Sequence, residues 1–269
     1  MIIARLFPKK SNYFNRLNSL CVDLGKIMDS MGLLRLFSLW TLVVAGIVVG
    51  IDINERFVYW SWQGWAIGIM KIIIISILYL FILKPNNLWE VGSKILSNRE
   101  ILIHTIVSYL LLIFGNIGVS GLLPNFIGLI PYSLAFLSGL LVFQFPLILD
   151  ENKGEWNHFD WNNKIEYFSF SLLLMLFSVV LGIYLDDPII STAGSVSVPF
   201  PLITLIWPNH VRHLQRARFF PLFSFAMFLC VRLPWFLIPL CSLFFIIRTI
   251  NYFRYGIVFP SFGVDFLEE

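Results

Sequence analysis

The chain has 269 residues, of which 58% are hydrophobic and 13% charged, with a mean hydropathy of +0.81; a soluble domain carries roughly 25% charged residues, so there is too little polar surface here to cover a globule in water. Its 27 Phe and 9 Trp reinforce the conclusion that lipid is the solvent for most of the chain. A net charge of +3 spread over short segments argues against a nucleic-acid-binding face, and three cysteines, Cys21, Cys230 and Cys241, supply neither a disulfide framework nor a CxxC pair.

The amino-terminal residues do not read as a secretory signal, because Pro8-Lys9-Lys10 interrupts the chain before any long apolar region develops. Residues 11–29 form an amphipathic pattern. Tyr13, Phe14, Leu17, Leu20, Cys21, Leu24, Ile27 and Met28 recur at helical spacing, with Asn15, Arg16, Asn18, Asp23 and Lys26 opposite. Ser11 suits the N-cap and Gly32 the break before the first span. Such a helix lies at the headgroup level or packs on another cytoplasmic part. Residues 1–32 are thus expected to be a cytoplasmic segment, 33–247 a transmembrane helical domain and 248–269 a tail.

A span needs roughly 20 apolar residues. The runs 33–51, 65–83, 101–123, 126–149 and 167–185 meet that length. The run 188–207 meets it weakly, because Ser191, Thr192, Ser195, Ser197, Pro199 and Pro201 interrupt it. The expected fold class is therefore all-α, a polytopic transmembrane bundle of about six spans. Arg5, Lys9, Lys10, Arg16 and Lys26 precede the first span, and Arg35 lies just inside it. Lys84, Lys94 and Arg99, then Lys153 and Lys164, then Arg212, Arg216 and Arg218 fall in alternate loops, while the intervening loops are nearly free of base. By the positive-inside rule the amino terminus is cytoplasmic, in a plasma (inner) membrane. Phe57, Tyr59, Trp60, Trp62 and Trp65 make an aromatic belt at the outer entry of the second span, and Lys71 is expected to snorkel to that interface.

The last apolar run, 219–247, is too long for one simple span and carries Arg232, Pro234 and Pro239 near its middle. Each limb is roughly 13 residues, about 20 Å at helical rise. A re-entrant hairpin turning at Arg232-Leu233-Pro234 is therefore favoured over a kinked seventh span.

Two groups of residues invite a functional reading. Beside the bilayer, His210, Arg212, His213, Arg216 and Arg218 are suited to an anionic headgroup or a phosphate, since arginine forks match such oxygens; resting on anionic lipid would use the same residues. Within the apolar runs, Arg232 is a charge where charge is costly, with Asp186 or Asp187 as candidate partners. Four histidines are too few for a His-rich di-iron site, and His104 has no partner at its depth for a bis-His haem, so no metal or cofactor is assigned. No Walker A loop, G-x-S-x-G elbow or HExxH pair is present. The expected function is a permease-type unit or a membrane subunit of a larger complex, with the bilayer, anionic lipid and other membrane subunits as partners. The alternative is an enzyme acting on a lipid or isoprenoid phosphate, with His210 or His213 as acid or base.

Overall fold

Lipid offers the backbone no hydrogen-bond partner, so each apolar run closes its own bonds as helix. The computed structural model describes all residues except 1, 52–56, 93, 120, 122, 145–146, 151–154, 159–164, 208–210 and 257–269, together with the side chains at 147–150, 155–158, 211, 212, 215, 219 and 220. Six of its helical segments are long and apolar enough to cross a membrane: Leu33–Gly50, Trp65–Leu83, Asn98–Asn116, Ile165–Tyr184, Pro188–Ile206 and Pro234–Tyr255. Phe126–Val142 and Pro221–Arg232 are shorter apolar helices. The chain divides into two compact units, Leu34–Phe236 and a smaller one made of Met1–Leu33 with Leu237–Glu269.

In the smaller unit α1 is Ile2–Leu6, α2 is Asn12–Met31 and α11 is Leu237–Tyr255. Ser11 caps α2 by accepting from the Phe14 N–H at 3.1 Å, and Gly32 ends it at φ 69°, a conformation that glycine adopts without penalty. The buried stripe of α2, Cys21, Gly25 and Met28, faces the carboxyl-terminal half of α11. Phe14 meets Tyr252 edge-on at 5.5 Å, and Asn18 Nδ2 donates to the Phe253 carbonyl at 2.6 Å. Arg254 pairs with Asp29 at 2.9 Å, and its side chain lies across Gly25, where a Cβ would displace it. Burial holds the Cys21 thiol above its ordinary pKa, so it is an inert packed thiol.

In the larger unit α3 is Leu33–Gly50, the most enclosed of the candidate spans, and α4 is Trp65–Leu78, carried on by a π-helical turn over Tyr79–Leu83. Helix α5 is Asn98–Asn116. It starts ahead of the expected 101 because Ser97 and Glu100 form a capping box. Gly46, Gly50 and Gly115 let α3 and α5 cross backbone to backbone, since a methyl group at Gly46 would strike the Leu112 carbonyl and one at Gly115 the Val43 carbonyl. Asn116 pins the crossing by donating to the Gly46 carbonyl at 3.2 Å.

Helix α6 is Phe126–Val142, ending well before the expected 149. Gln144 turns back to donate to the Leu140 carbonyl at 2.9 Å and accepts the Leu96 N–H at 2.6 Å. Past the end of α6, Leu147–Asp150 pairs antiparallel with Glu155–His158 as β1 and β2. Helix α7 is Ile165–Tyr184, joined to α6 by a buried serine pair in which Ser138 and Ser171 each donate to the other's carbonyl at 2.8 Å. The sixth run breaks where its prolines fall, into α8, Pro188–Ser197, and α9, Pro199–Ile206.

The final run departs most from expectation. Helix α10 is continuous over Val211–Arg232, with Pro221 inside it, and at 22 residues spans about 33 Å. Leu214 and Ala217 near its start pack with Val142 at the end of α6 and Phe168 at the start of α7. Its last residue, Arg232, lies with Val48 and Val49 in the last turn of α3, Gly128 in the first turn of α6 and Asp187 at the α7–α8 turn. So α10 runs from one end of this unit to the other, and its first limb is longer than the apolar stretch suggests because the helix begins in the polar segment before it. A 3-10 turn, Pro234–Phe236, follows.

Candidate functional site: a seam bounded by two arginines

Positions 218, 222, 225, 229 and 232 follow the 4, 3, 4, 3 spacing of a single helical face. On α10 that face presents Arg218, Leu222, Phe225, Leu229 and Arg232, and each of them borders a cavity. Over the first four residues the opposite walls are α3, with Ser38, Thr41, Leu42 and Ala45, and α6, with Tyr132, Ala135, Phe136, Gly139, Leu140 and Phe143. About 660 Å³ is free of atoms there, but only about 80 Å³ can hold the centre of a water molecule. It is a narrow slot, not a chamber.

Polar groups along the slot are committed elsewhere. Ser38 Oγ donates to the Arg35 carbonyl at 2.7 Å and accepts the Trp89 indole N–H at 3.1 Å. Thr41 Oγ1 donates back to the Phe37 carbonyl at 2.9 Å, and Tyr132 gives its hydroxyl to the Asp187 carboxylate at 3.1 Å. Arg218 is the charged residue of the wall, its guanidinium carbon 5.0 Å from the centroid of the Phe143 ring.

At the other end of the same α10 face, Arg232 borders a larger vestibule of about 1070 Å³ of atom-free space, of which about 390 Å³ admits water centres. Ile47 of α3, Ile51 just past its end, Ser61, Gln63 and Gly64 of the α3–α4 loop, and Ile67 and Gly68 of α4 are among the residues of its wall. Arg232 is 2% exposed and donates to the Val58 carbonyl. The Trp60 N–H donates to the Val231 carbonyl at 3.0 Å, holding Trp60 at φ 61°, an uncommon conformation for a residue with a side chain. The loop carrying the aromatic belt is thus tied to the end of α10.

The residues expected from sequence are distributed unevenly. Arg232 and Asp187 border one small pocket, at the end of the helical unit and not in its middle. Asp187 has a structural duty as well, since it caps α8 through the N–H groups of Ile189 and Ile190 at 3.0 and 3.2 Å. Asp186 sits at φ 54° in the turn. Of the basic cluster, Arg218 enters the slot wall, whereas Arg216 is exposed. Two residues apart on a helix, Arg216 and Arg218 face different ways. His213 accepts from Thr204 through its carbonyl at 3.2 Å, and its ring lies 6.3 Å from that of Trp207. His210 and the side chain of Arg212 lie outside the described residues.

Three features escaped the sequence reading. Lys71 does not reach the interface. It is 6% exposed, and Nζ donates to the Gly115 and Ile117 carbonyls at 2.6 and 2.7 Å, groups that the end of α5 leaves unpaired. Trp89, in the segment between α4 and α5, is fully buried and stacks on His104 and Phe136 at 5.6 and 5.3 Å. His104 Nε2 accepts the Glu90 N–H at 2.7 Å, which leaves Nδ1 to donate to the Glu100 carbonyl at 2.7 Å, so both ring nitrogens are used within the protein. Beside them Arg35 and Glu90 pair at 2.6 Å, both largely buried. The apolar residues Trp89, Val91 and Leu96 among polar neighbours were the available signal that this loop folds inward. Among the described residues, no group of three or more His, Cys, Asp and Glu is placed to hold a metal.

Comparison with protein-family models, with curated proteins and with solved structures finds no match to this chain.

Proposed function

We propose that this multi-pass membrane protein is a permease-type unit whose route is the seam between α3 and α10. The observation that carries this reading is the serial arrangement of slot and vestibule along one face of α10, with a guanidinium at either end. Arg218 and Arg232 stand about 21 Å apart along α10, most of the roughly 30 Å of hydrocarbon.

In this reading α10 is a full crossing and α11 returns, giving eight crossings with both termini in the cytoplasm of a cell bounded by its plasma (inner) membrane. Two observations support the even number. The carboxyl-terminal half of α11 packs on α2, and Arg248 and Arg254 then fall on the side rich in base. Arg218 lies at the cytoplasmic end and Arg232 at the outer end. The α2 helix rests at the cytoplasmic headgroup level.

The test is thiol labelling from each side. With Cys21, Cys230 and Cys241 replaced by Ser, single cysteines are placed at Ile47 in the vestibule and at Thr41 in the slot. Membrane-impermeant reagent should label Ile47→Cys from outside in whole cells. Thr41→Cys should label in whole cells and in inverted vesicles, because a route opens to both sides. If Ile47→Cys labels and Thr41→Cys stays inert in both, the seam is sealed, and the reading as a structural subunit of a larger complex replaces this one. An enzyme of lipid phosphates would draw on His210 or His213; His213 is not among the described residues lining the slot.

A further inference from the structure

We infer that the turn carrying Val91 is a gate at the cytoplasmic end of the slot, latched by the ion pair of Arg35 and Glu90. This adds the regulation of the route proposed above and rests on that reading for the slot's role and its sidedness.

Place comes first. Val91 belongs to the slot wall, at the end it shares with Ser38 near the start of α3, Phe143 just past the end of α6, and Arg218 of α10. It is 4% exposed, although it lies in a segment that is neither helix nor strand. Irregular backbone that lines a cavity is one of the few kinds tolerated within a membrane bundle. The way out of the slot at this end runs past the Val91 side chain.

Four consecutive residues divide the work of a gate. Trp89 is the anchor, stacked between His104 and Phe136, with its indole N–H on Ser38 Oγ at 3.1 Å. Glu90 is the latch, its carboxylate 2.6 Å from Arg35 of α3 and its N–H on His104 Nε2 at 2.7 Å. Val91 is the plug. Gly92 is the hinge, at φ 76° in the turn, a conformation that glycine enters and leaves at little cost. A side chain there would also press on Leu34 and Phe143, each at 3.2 Å.

The chemistry of the latch makes it releasable. The Arg35 and Glu90 side chains are 15% and 13% exposed. Taking two charges out of water costs nearly what their attraction returns. The closed, paired turn and an open, hydrated one therefore lie close in free energy, as a gate requires. Trp89 need not move, so opening exposes little apolar surface.

The experiment follows the rate at which a membrane-impermeant thiol reagent labels Thr41→Cys, as the single cysteine, in inverted vesicles. Glu90→Gln should raise that rate about tenfold, the loss of one charge-assisted hydrogen bond. Arg35→Gln should do the same, and the double variant should go no further than either, because all three remove one bond. Gly92→Ala, which leaves the charges alone, should raise it about fivefold by straining the closed turn. Lys94→Gln, which breaks the more exposed pair with Glu100, should change nothing. Labelling of Ile47→Cys from outside should be unaffected throughout. Folding is checked with Cys230 as the only thiol, since it is buried and borders neither cavity; if it turns reactive in Glu90→Gln, Gly92→Ala decides. If the parent labels and the folded variants label no faster, or Lys94→Gln labels as fast as they do, the gate falls and the route stands. If the parent is inert from both sides while the variants open Thr41→Cys to the cytoplasm, the gate stands and the route falls. Inertness in parent and variants alike removes both.

Discussion

Replacing Gly46 by Ala tests the crossing on which the α3 wall of the seam depends. The new methyl would enter the space held by the Leu112 carbonyl oxygen. That oxygen is part of the α5 backbone and cannot rotate aside as a side chain would, so the two helices must part. Overpacking costs about 1–3 kcal/mol, and a backbone obstacle places this case near about 3. Alanine returns about 1 kcal/mol through helix propensity, which leaves a net loss of about 2 kcal/mol. For a chain of this size that is a fall in Tm of roughly 4–8 °C. The protein supplies its own reporter: in a Cys241→Ser background the remaining thiols, Cys21 and Cys230, are both buried, so a thiol-reactive dye reads their exposure on heating in detergent. Gly139→Ala is the control, because its methyl meets nothing within 4 Å and only the propensity gain remains; its Tm should rise by roughly 2–4 °C. A Gly46→Ala protein that melts with or above Gly139→Ala would refute the close crossing.

Other substitutions separate further parts of the argument. Lys71→Met removes the donor to the Gly115 and Ile117 carbonyls and should cost about 1–3 kcal/mol in the same thermal assay, whereas a lysine that merely reached the interface would be replaced silently. Trp235→Phe should leave Tm unchanged or raise it, because the buried indole N–H has no hydrogen-bond partner among the described residues and an unpaired buried donor costs about 1–3 kcal/mol; a fall of several degrees would reveal a partner. A tag after residue 269 should be protected from protease in whole cells and cleaved in inverted vesicles, and the opposite pattern would remove the eighth crossing.

Much of the fold is legible in local pattern. Ser11 and Gly32 bound α2 where their capping chemistry predicts, and Pro199 and Pro201 divide the sixth run where the backbone loses its donors. The α3–α5 crossing was also readable, since Gly46 and Gly50 stand four apart on an apolar helix, a known small-residue spacing. The end of α10 was harder. Its apolar stretch is short, and nothing local says that the polar residues from Val211 onward extend the same helix to full depth.

Composition by itself determined the solvent. With so few charges the chain calls for lipid around it, and lipid then dictates helix for the apolar runs. What the tertiary structure alone decided is the surroundings of each polar side chain. Lys71 caps a helix 44 residues away in sequence, and Arg232 bonds a carbonyl 174 residues away. Trp89 turns inward beneath α3, and Arg218 and Arg216 part company across one helix. A charge in an apolar sequence announces its cost locally, but the group that offsets that cost comes from a distant segment. Only packing brings the two together, and in bringing them together it makes the seam.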